Sequence, residues 1–318
     1  MADVSAISAA ATTPGGLGNL TPEQFGDFLE TNFKRANADE MAAPSQGLNF
    51  YNVQNTSLDH EKHTAVTGFR TMPKSRDNEN IPLGEVVQGF DNTYTPEDYR
   101  LGYGFEHRLR ETGQYRLISK IQRALMKSAS DSIELIAADP FNRGFGATAP
   151  WLCADGFYLF DSARNLEDGS GTWSNLETAS ALTQNSLETA LVNARKQVNK
   201  RGLKAPVKMR TLIVPPDLER KAKELLASDK TPEDALNSAN VYQNSLEIAV
   251  WDYLTDTNAW FLSGEMSDVM HEIFWYWRLR PSVTTFQSGN PDVTYQRVKF
   301  SAVTGADRPH NVMGNAGA

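Results

Sequence analysis

Apolar positions recur every three or four residues between 114 and 138: Leu117, Ile118, Ile121, Leu125, Ala129, Ile133 and Ile136, with Ser132 on the same face. This spacing predicts one long amphipathic helix. At 1.5 Å per residue it would run about 35–40 Å, roughly twice the usual helix. Arg116, Lys120, Arg123 and Lys127 form a basic stripe beside the apolar one, read as a solvated face. The helix is expected to end at Pro140-Phe141-Asn142-Arg143-Gly144-Phe145.

The period changes to two just before this helix. Tyr99, Leu101, Tyr103 and Phe105 alternate with Arg100, Gly102, Gly104 and Glu106, which predicts a strand. A second alternation places Ile273, Trp275, Trp277 and Leu279 against Phe274, Tyr276 and Arg278. Both of its faces are large, so this strand should be covered on both sides. Residues 293–303 give a last strand, and the tail from Gly305 to Ala318 reads as polar and loose.

Residues 183–286 read as a compact α/β unit. Leu187, Ala190, Leu191, Ala194 and Val198 define a helix after Thr183, stopped at Gly202. Thr211-Leu212-Ile213-Val214 is a short buried strand ended by Pro215-Pro216, and Leu218, Ala222, Leu225 and Leu226 mark the next helix. Leu246–Val250 and Ala259–Leu262 are further strands.

Residues 62–92 predict a long hairpin. Thr64 to Thr71 is β-prone, Pro73 to Asn80 is a polar tip, and Ile81-Pro82-Leu83-Gly84 starts the return. Pro and Gly in the return strand mark an edge ribbon. Such a ribbon is marginal alone in water and makes sense laid on a neighbour. Before it, Thr21-Pro22-Glu23 looks like a helix start, and Phe25, Phe28, Leu29 and Phe33 share a face, giving a short helix over 22–36 in a mostly extended arm.

Composition narrows the function classes. The 318 residues allow two or three compact domains. No apolar run approaches the ~20 residues that cross a bilayer, and Met1–Leu20 lacks the pattern of a signal peptide. The single cysteine, Cys153, excludes an intrachain disulfide and a cysteine-rich zinc site, and suits a reducing compartment. A net charge of −8 with scattered cations argues against tight sequence-specific DNA binding, yet suits a wall that encloses DNA without sticking to it.

Candidate chemistry is thin. His60-Glu61-Lys62-His63 is one residue short of the zinc-protease spacing and sits in an extended stretch, so no metal site is expected. Gly144-Phe145-Gly146-Ala147-Thr148-Ala149 matches a loose dinucleotide pattern, but it follows a helix instead of a strand, and its glycines are read as a change of direction. Cys153 reads as a small core residue, and the aromatic strand at 274–277 as core rather than a base-stacking platform. No catalytic residue and no cofactor-binding residue is assigned.

The order of elements resembles the major capsid proteins of tailed phages, the Hong Kong 97-type fold, and within them the Mu-like major head subunits. The resemblance rests on Tyr99-Arg100-Leu101-Gly102-Tyr103-Gly104-Phe105 running into the long helix and on Phe141-Asn142-Arg143-Gly144-Phe145 at its end. It continues through Asp155-Gly156-Phe157-Tyr158-Leu159-Phe160-Asp161-Ser162, Thr172-Trp173-Ser174-Asn175-Leu176, Ser186 to Leu191 and Leu212 to Glu219. It spans residues from about 60 to 305 and departs at Ser162-Ala163-Arg164, where the family pattern is Ser-x-His.

The resemblance implies an α+β fold: an N-terminal arm over 1–60, an extended loop (β-hairpin) over 61–95, and a peripheral domain over 96–177 with spine helix 112–139. An axial domain over 178–268 and returning peripheral strands with the tail over 269–318 complete it. The function implied is a non-enzymatic head protein that assembles with itself, as hexamers and pentamers, into an icosahedral shell around double-stranded DNA held non-specifically. Portal, scaffold or decoration proteins would be further partners, with no membrane involved, and the virion, assembled in the host cytoplasm, would be its location. Phe69, Pro73, Lys74, Arg76, Ile81 and Leu83 would touch the neighbouring subunit. Lys74 is read as tip solubility, not as a covalent cross-link. A cellular nanocompartment shell on the same fold and a soluble α/β ligand-binding protein are the alternatives.

Overall fold

The structure, a computed structural model, describes residues 45–66, 69, 71–74, 80–81, 83–84, 86, 88–106, 115–146, 148–166, 171–199, 202–230, 239–264, 273–287 and 293–318. The arm helix expected over 22–36, most of the ribbon tip with Arg76, and the first residues expected of the long helix lie outside these.

Two four-stranded sheets share one core. In the first, β1 (Asn52–Asn55) runs parallel to β10 (Ile273–Gln287), which pairs antiparallel with β11 (Val293–Ala306), which in turn pairs with β4 (Glu97–Glu106). The predicted alternation is visible in side-chain direction. Trp275, Trp277, Val298, Phe300 and Ala302 enter the main core, with Tyr99 stacked on Phe300 at 4.9 Å. Phe274 and Tyr276 point the other way and are covered by Tyr94. The aromatic strand is therefore core on both faces, and no ring of 274–277 is available for base stacking.

Helix α1 (Tyr115–Asn142) lies on the first sheet. Ile118, Leu125 and Ala129 are buried as predicted, whereas Leu117 is exposed. Met126, Ala137 and Ala138 complete the buried face. The helix runs through Pro140, expected as its end, to Asn142. Proline has no N–H to give the Ile136 carbonyl, so the last turn lacks one helical hydrogen bond. Gly144 then turns the chain back so tightly that a Cβ there would lie 2.3 Å from the Pro140 carbonyl oxygen.

The second sheet has β7 (Met209–Val214) flanked by β8 (Glu247–Val250) in parallel and β9 (Trp260–Gly264) antiparallel, with β12 (Val312–Asn315) beyond β9. Helices α2 (Gln184–Lys196) and α3 (Glu219–Leu226) close one face through Leu187, Ala190, Ala194, Ala222 and Leu225. Thr183 caps α2 by accepting the N–H of Ser186, as the sequence suggested. The other face contributes Ile213 and Phe261 to the main core, where Phe261 meets Phe141 edge-on at 5.3 Å.

The tail corrects an expectation. It is not loose: β12 (Val312–Asn315) pairs antiparallel with β9, and Val312, Met313 and Asn315 are buried. Its polar groups are used inside. Asn315 Nδ2 donates to Thr178 O at 2.9 Å, and its Oδ1 accepts from Ser180 N at 3.0 Å. Polar composition misled because these groups pair with backbone instead of water.

Candidate assembly surface

The ribbon packs on the first sheet at its foot but shares no ladder with either sheet among the described residues. Its strands β2 (Glu61–Val66) and β3 (Gln88–Tyr94) pair only with each other among the described residues. Among the described residues pairing reaches no further than Val66 and Gln88, and Pro82 in the return segment has no N–H to donate to a ladder. Beyond the paired part, Phe69 is 67% exposed, Ile81 83% and Leu83 95%, with Pro73 and Lys74 also open to solvent. Met72, at 97%, belongs with them and was missed because it sits at the start of the polar tip. Five of the six residues expected to touch a neighbour are exposed in the subunit; Arg76 is the sixth, outside the described residues.

The foot of the ribbon is fixed by a hydrogen-bonded chain. Asp307, just beyond β11, meets His63 Nδ1 with its Oδ2 at 2.8 Å and accepts the Tyr94 hydroxyl on Oδ1. His63 Nε2 meets the Tyr276 hydroxyl at 2.6 Å. The imidazole is edge-on to Phe274 at 4.8 Å and Tyr94 at 5.1 Å. His60 is exposed, whereas His63 is engaged by Asp307 and Tyr276.

A second carboxylate ties the end of the arm to the body. Glu134 of α1, only 6% exposed, accepts Gln46 N at 2.8 Å, Gly47 N at 3.0 Å and Trp251 Nε1 at 3.3 Å, together with the Ser45 hydroxyl. These donors come from the 3-10 turn Gly47–Phe50 and its approach, and from the segment after β8.

The stretch that follows α1 is built on Arg164 and Asp155, whose side chains are 0% and 1% exposed. The guanidinium spans both carboxylate oxygens at 2.8 and 2.9 Å, donates to the Tyr158 and Leu159 carbonyls, and lies 5.0 Å from the centre of the Trp173 ring. Asn175 Nδ2 donates to Leu159 O at 2.7 Å. At Arg164, where the sequence departs from the expected Ser-x-His, the chain carries a buried bidentate ion pair. Cys153 is buried beside it, and burial pushes its thiol up to about 11. The glycine-bearing turn at Gly144 follows a helix and precedes no helix, so it forms no dinucleotide cradle. Lys120, Arg123 and Lys127 of the basic stripe are exposed on α1, with Lys127 paired to Asp131 at 3.1 Å.

Comparison with known proteins agrees with this architecture. A family model described as phage capsid protein matches residues 91–309. No curated protein sequence matches the chain. Among solved structures, a chain from Microbacterium phage Oxtober96 is similar with a TM-score of 0.54, at 11% identity, over 89% of this chain and 99% of that one. One from Mycobacterium phage Adephagia gives 0.53 at 13% identity, over 88% and 93%. The capsid structure of the cyanophage P-SCSP1u gives 0.52 at 10% identity, over 85% and 86%. At such identities the likeness is one of fold, while the family match covers more than half of the chain. The chain belongs to the phage capsid protein family and has the Hong Kong 97-type fold of tailed-phage major capsid proteins.

Proposed function

We propose that copies of this chain, grouped as hexamers and pentamers, close an icosahedral head, with each ribbon laid over a neighbouring copy. The observation that carries this reading is the exposed apolar row Phe69, Met72, Ile81 and Leu83 on a ribbon that pairs with no other strand among the described residues. Burying one such side chain stabilises an interface by roughly 1.5–3 kcal/mol before ordering costs. Left in water, the row would invite open-ended association, which closed symmetry prevents. In this reading α1 and the first sheet form the peripheral domain, and the second sheet with α2 and α3 the axial domain. Strand β12 ties the chain's end to the axial sheet.

The finer partners follow from the same role: a portal, scaffold or decoration proteins, and double-stranded DNA enclosed without sequence readout. The net charge of −8 favours enclosure over adhesion. The role is structural rather than catalytic, with assembly in the host cytoplasm before packaging. The test is a paired substitution, Ile81→Asp with Leu83→Asp. Light scattering should show subunits or small oligomers in place of shells, with an unchanged circular dichroism spectrum. Shells of wild-type size from the double variant would refute the ribbon contact.

A further inference from the structure

We propose that Asp307 is a clasp that sets the pitch of the ribbon on the body, and that its release frees the ribbon to swing as one piece. The ribbon strands share no ladder with either sheet among the described residues, so their orientation depends on side chains at the foot. Both strands contact this one carboxylate. His63 from β2 takes Oδ2 at 2.8 Å, and Tyr94 from β3 donates to Oδ1. Asp307 itself is held by the end of β11, a long strand at the centre of the first sheet.

The chemistry of the chain is self-consistent. A carboxylate only accepts, so His63 presents Nδ1–H to it, while its Nε2 meets the Tyr276 hydroxyl at 2.6 Å. Tyr94 donates to Asp307 while its oxygen accepts Asn92 Nδ2 at 3.0 Å. Burial first, and then the Asp307 charge, push the Tyr94 hydroxyl well up, which keeps that donor protonated. Close packing fixes the same ring, since a Cβ on Gly305 would lie 2.0 Å from Tyr94 Cε1. The chain before the ribbon is tied separately, by Thr56 N to Trp277 O at 2.8 Å. The clasp therefore governs the ribbon's angle, and its attachment to the body is secured upstream.

The use of the swing rests on the assembly reading; the swing itself is a property of one subunit and is measured there. Spin labels on Gln88→Cys in β3 and Lys127→Cys on α1, in the full chain diluted with unlabelled copies, report the pitch as an intramolecular distance. The buried Cys153 stays unlabelled. The intact chain should give a narrow distance distribution, and Asp307→Ala should broaden it about twofold or more. Asp307→Asn serves if the alanine variant does not fold, and Tyr94→Phe, which frees one strand, should fall between. Lys62→Ala breaks the ribbon's internal pair with Asp91 at 3.0 Å and should leave the width unchanged. An unchanged width in both Asp307 variants, or equal broadening in Lys62→Ala, overturns the proposal. Loss of shells in Ile81→Asp with Leu83→Asp, with the width kept narrow there, would speak for the interface alone, whereas the Asp307 variants report the clasp.

Discussion

Glu134 Oε2 accepts the backbone N–H of Gly47 at 3.0 Å, joining the middle of the long helix to the point where the arm enters the body, 87 residues away in sequence. The same carboxylate holds Gln46 N and the Trp251 indole, so one helix residue organises the arm, the helix and the approach to the second sheet. Glu134→Ala should leave several buried donors unsatisfied and lower subunit stability by roughly 3 kcal/mol. Glu134→Gln, which keeps one accepting oxygen, should lose less. Urea denaturation of unassembled subunits checks the order.

Arg164 and Asp155 are both shut away from water, so removing one strands the other. Arg164→Ala should destabilise by about 3 to 5 kcal/mol, while Arg164→Ala with Asp155→Ala should lose less than the sum of the single changes. Arg164→Lys keeps the charge but cannot span both oxygens, and should fall between wild type and Arg164→Ala. A double-mutant cycle on subunit unfolding reads all of these.

Cys153 is the only thiol in the chain and is buried. With burial raising it to about 11, the native thiol should react with a disulfide reagent at pH 8 at least ~100-fold more slowly than in the denatured chain. Stopped-flow absorbance gives the ratio. A native rate near the denatured one would contradict the packing around α1's exit.

Asp91 spans the ribbon to Lys62 at 3.0 Å. That contact first, then the Thr64 and Gln88 side chains, hold its carboxyl below the usual carboxylate range. A depressed folded value means that the contribution is present above the ordinary carboxylate pKa and is lost as pH falls through the folded one. Amide exchange over 61–66 and 88–94, corrected for intrinsic chemistry, should therefore quicken on acidification. Asp91→Asn should remove that pH dependence while leaving exchange in β7 and β9 unchanged.

Local periodicity made much of the fold legible. The seven-residue alternation from Tyr99 to Phe105, the apolar stripe of α1 and the Thr183 cap each follow from contacts within a few residues, so they can be read along the chain. The exposed ribbon positions were readable too, as apolar residues flanking a tip rich in charge. What stayed hidden depends on distant partners. The Asp307–His63 contact joins residues 244 apart, and nothing around either one marks the other. Strand β12 was missed because Asn315 satisfies backbone groups of residues 178–180, which makes a polar sequence suitable for burial. Glu134 sits on the helix's apolar side, where a carboxylate is anomalous until its four donors are known.

Electron cryo-microscopy of the purified chain, expressed alone and with its head-assembly partners, tests the central claim most directly. Closed shells should appear in which each β2–β3 ribbon crosses a neighbouring copy and Phe69, Met72, Ile81 and Leu83 are buried against it. A monodisperse compact monomer under both conditions, or shells whose ribbons lie free in solvent, would contradict it.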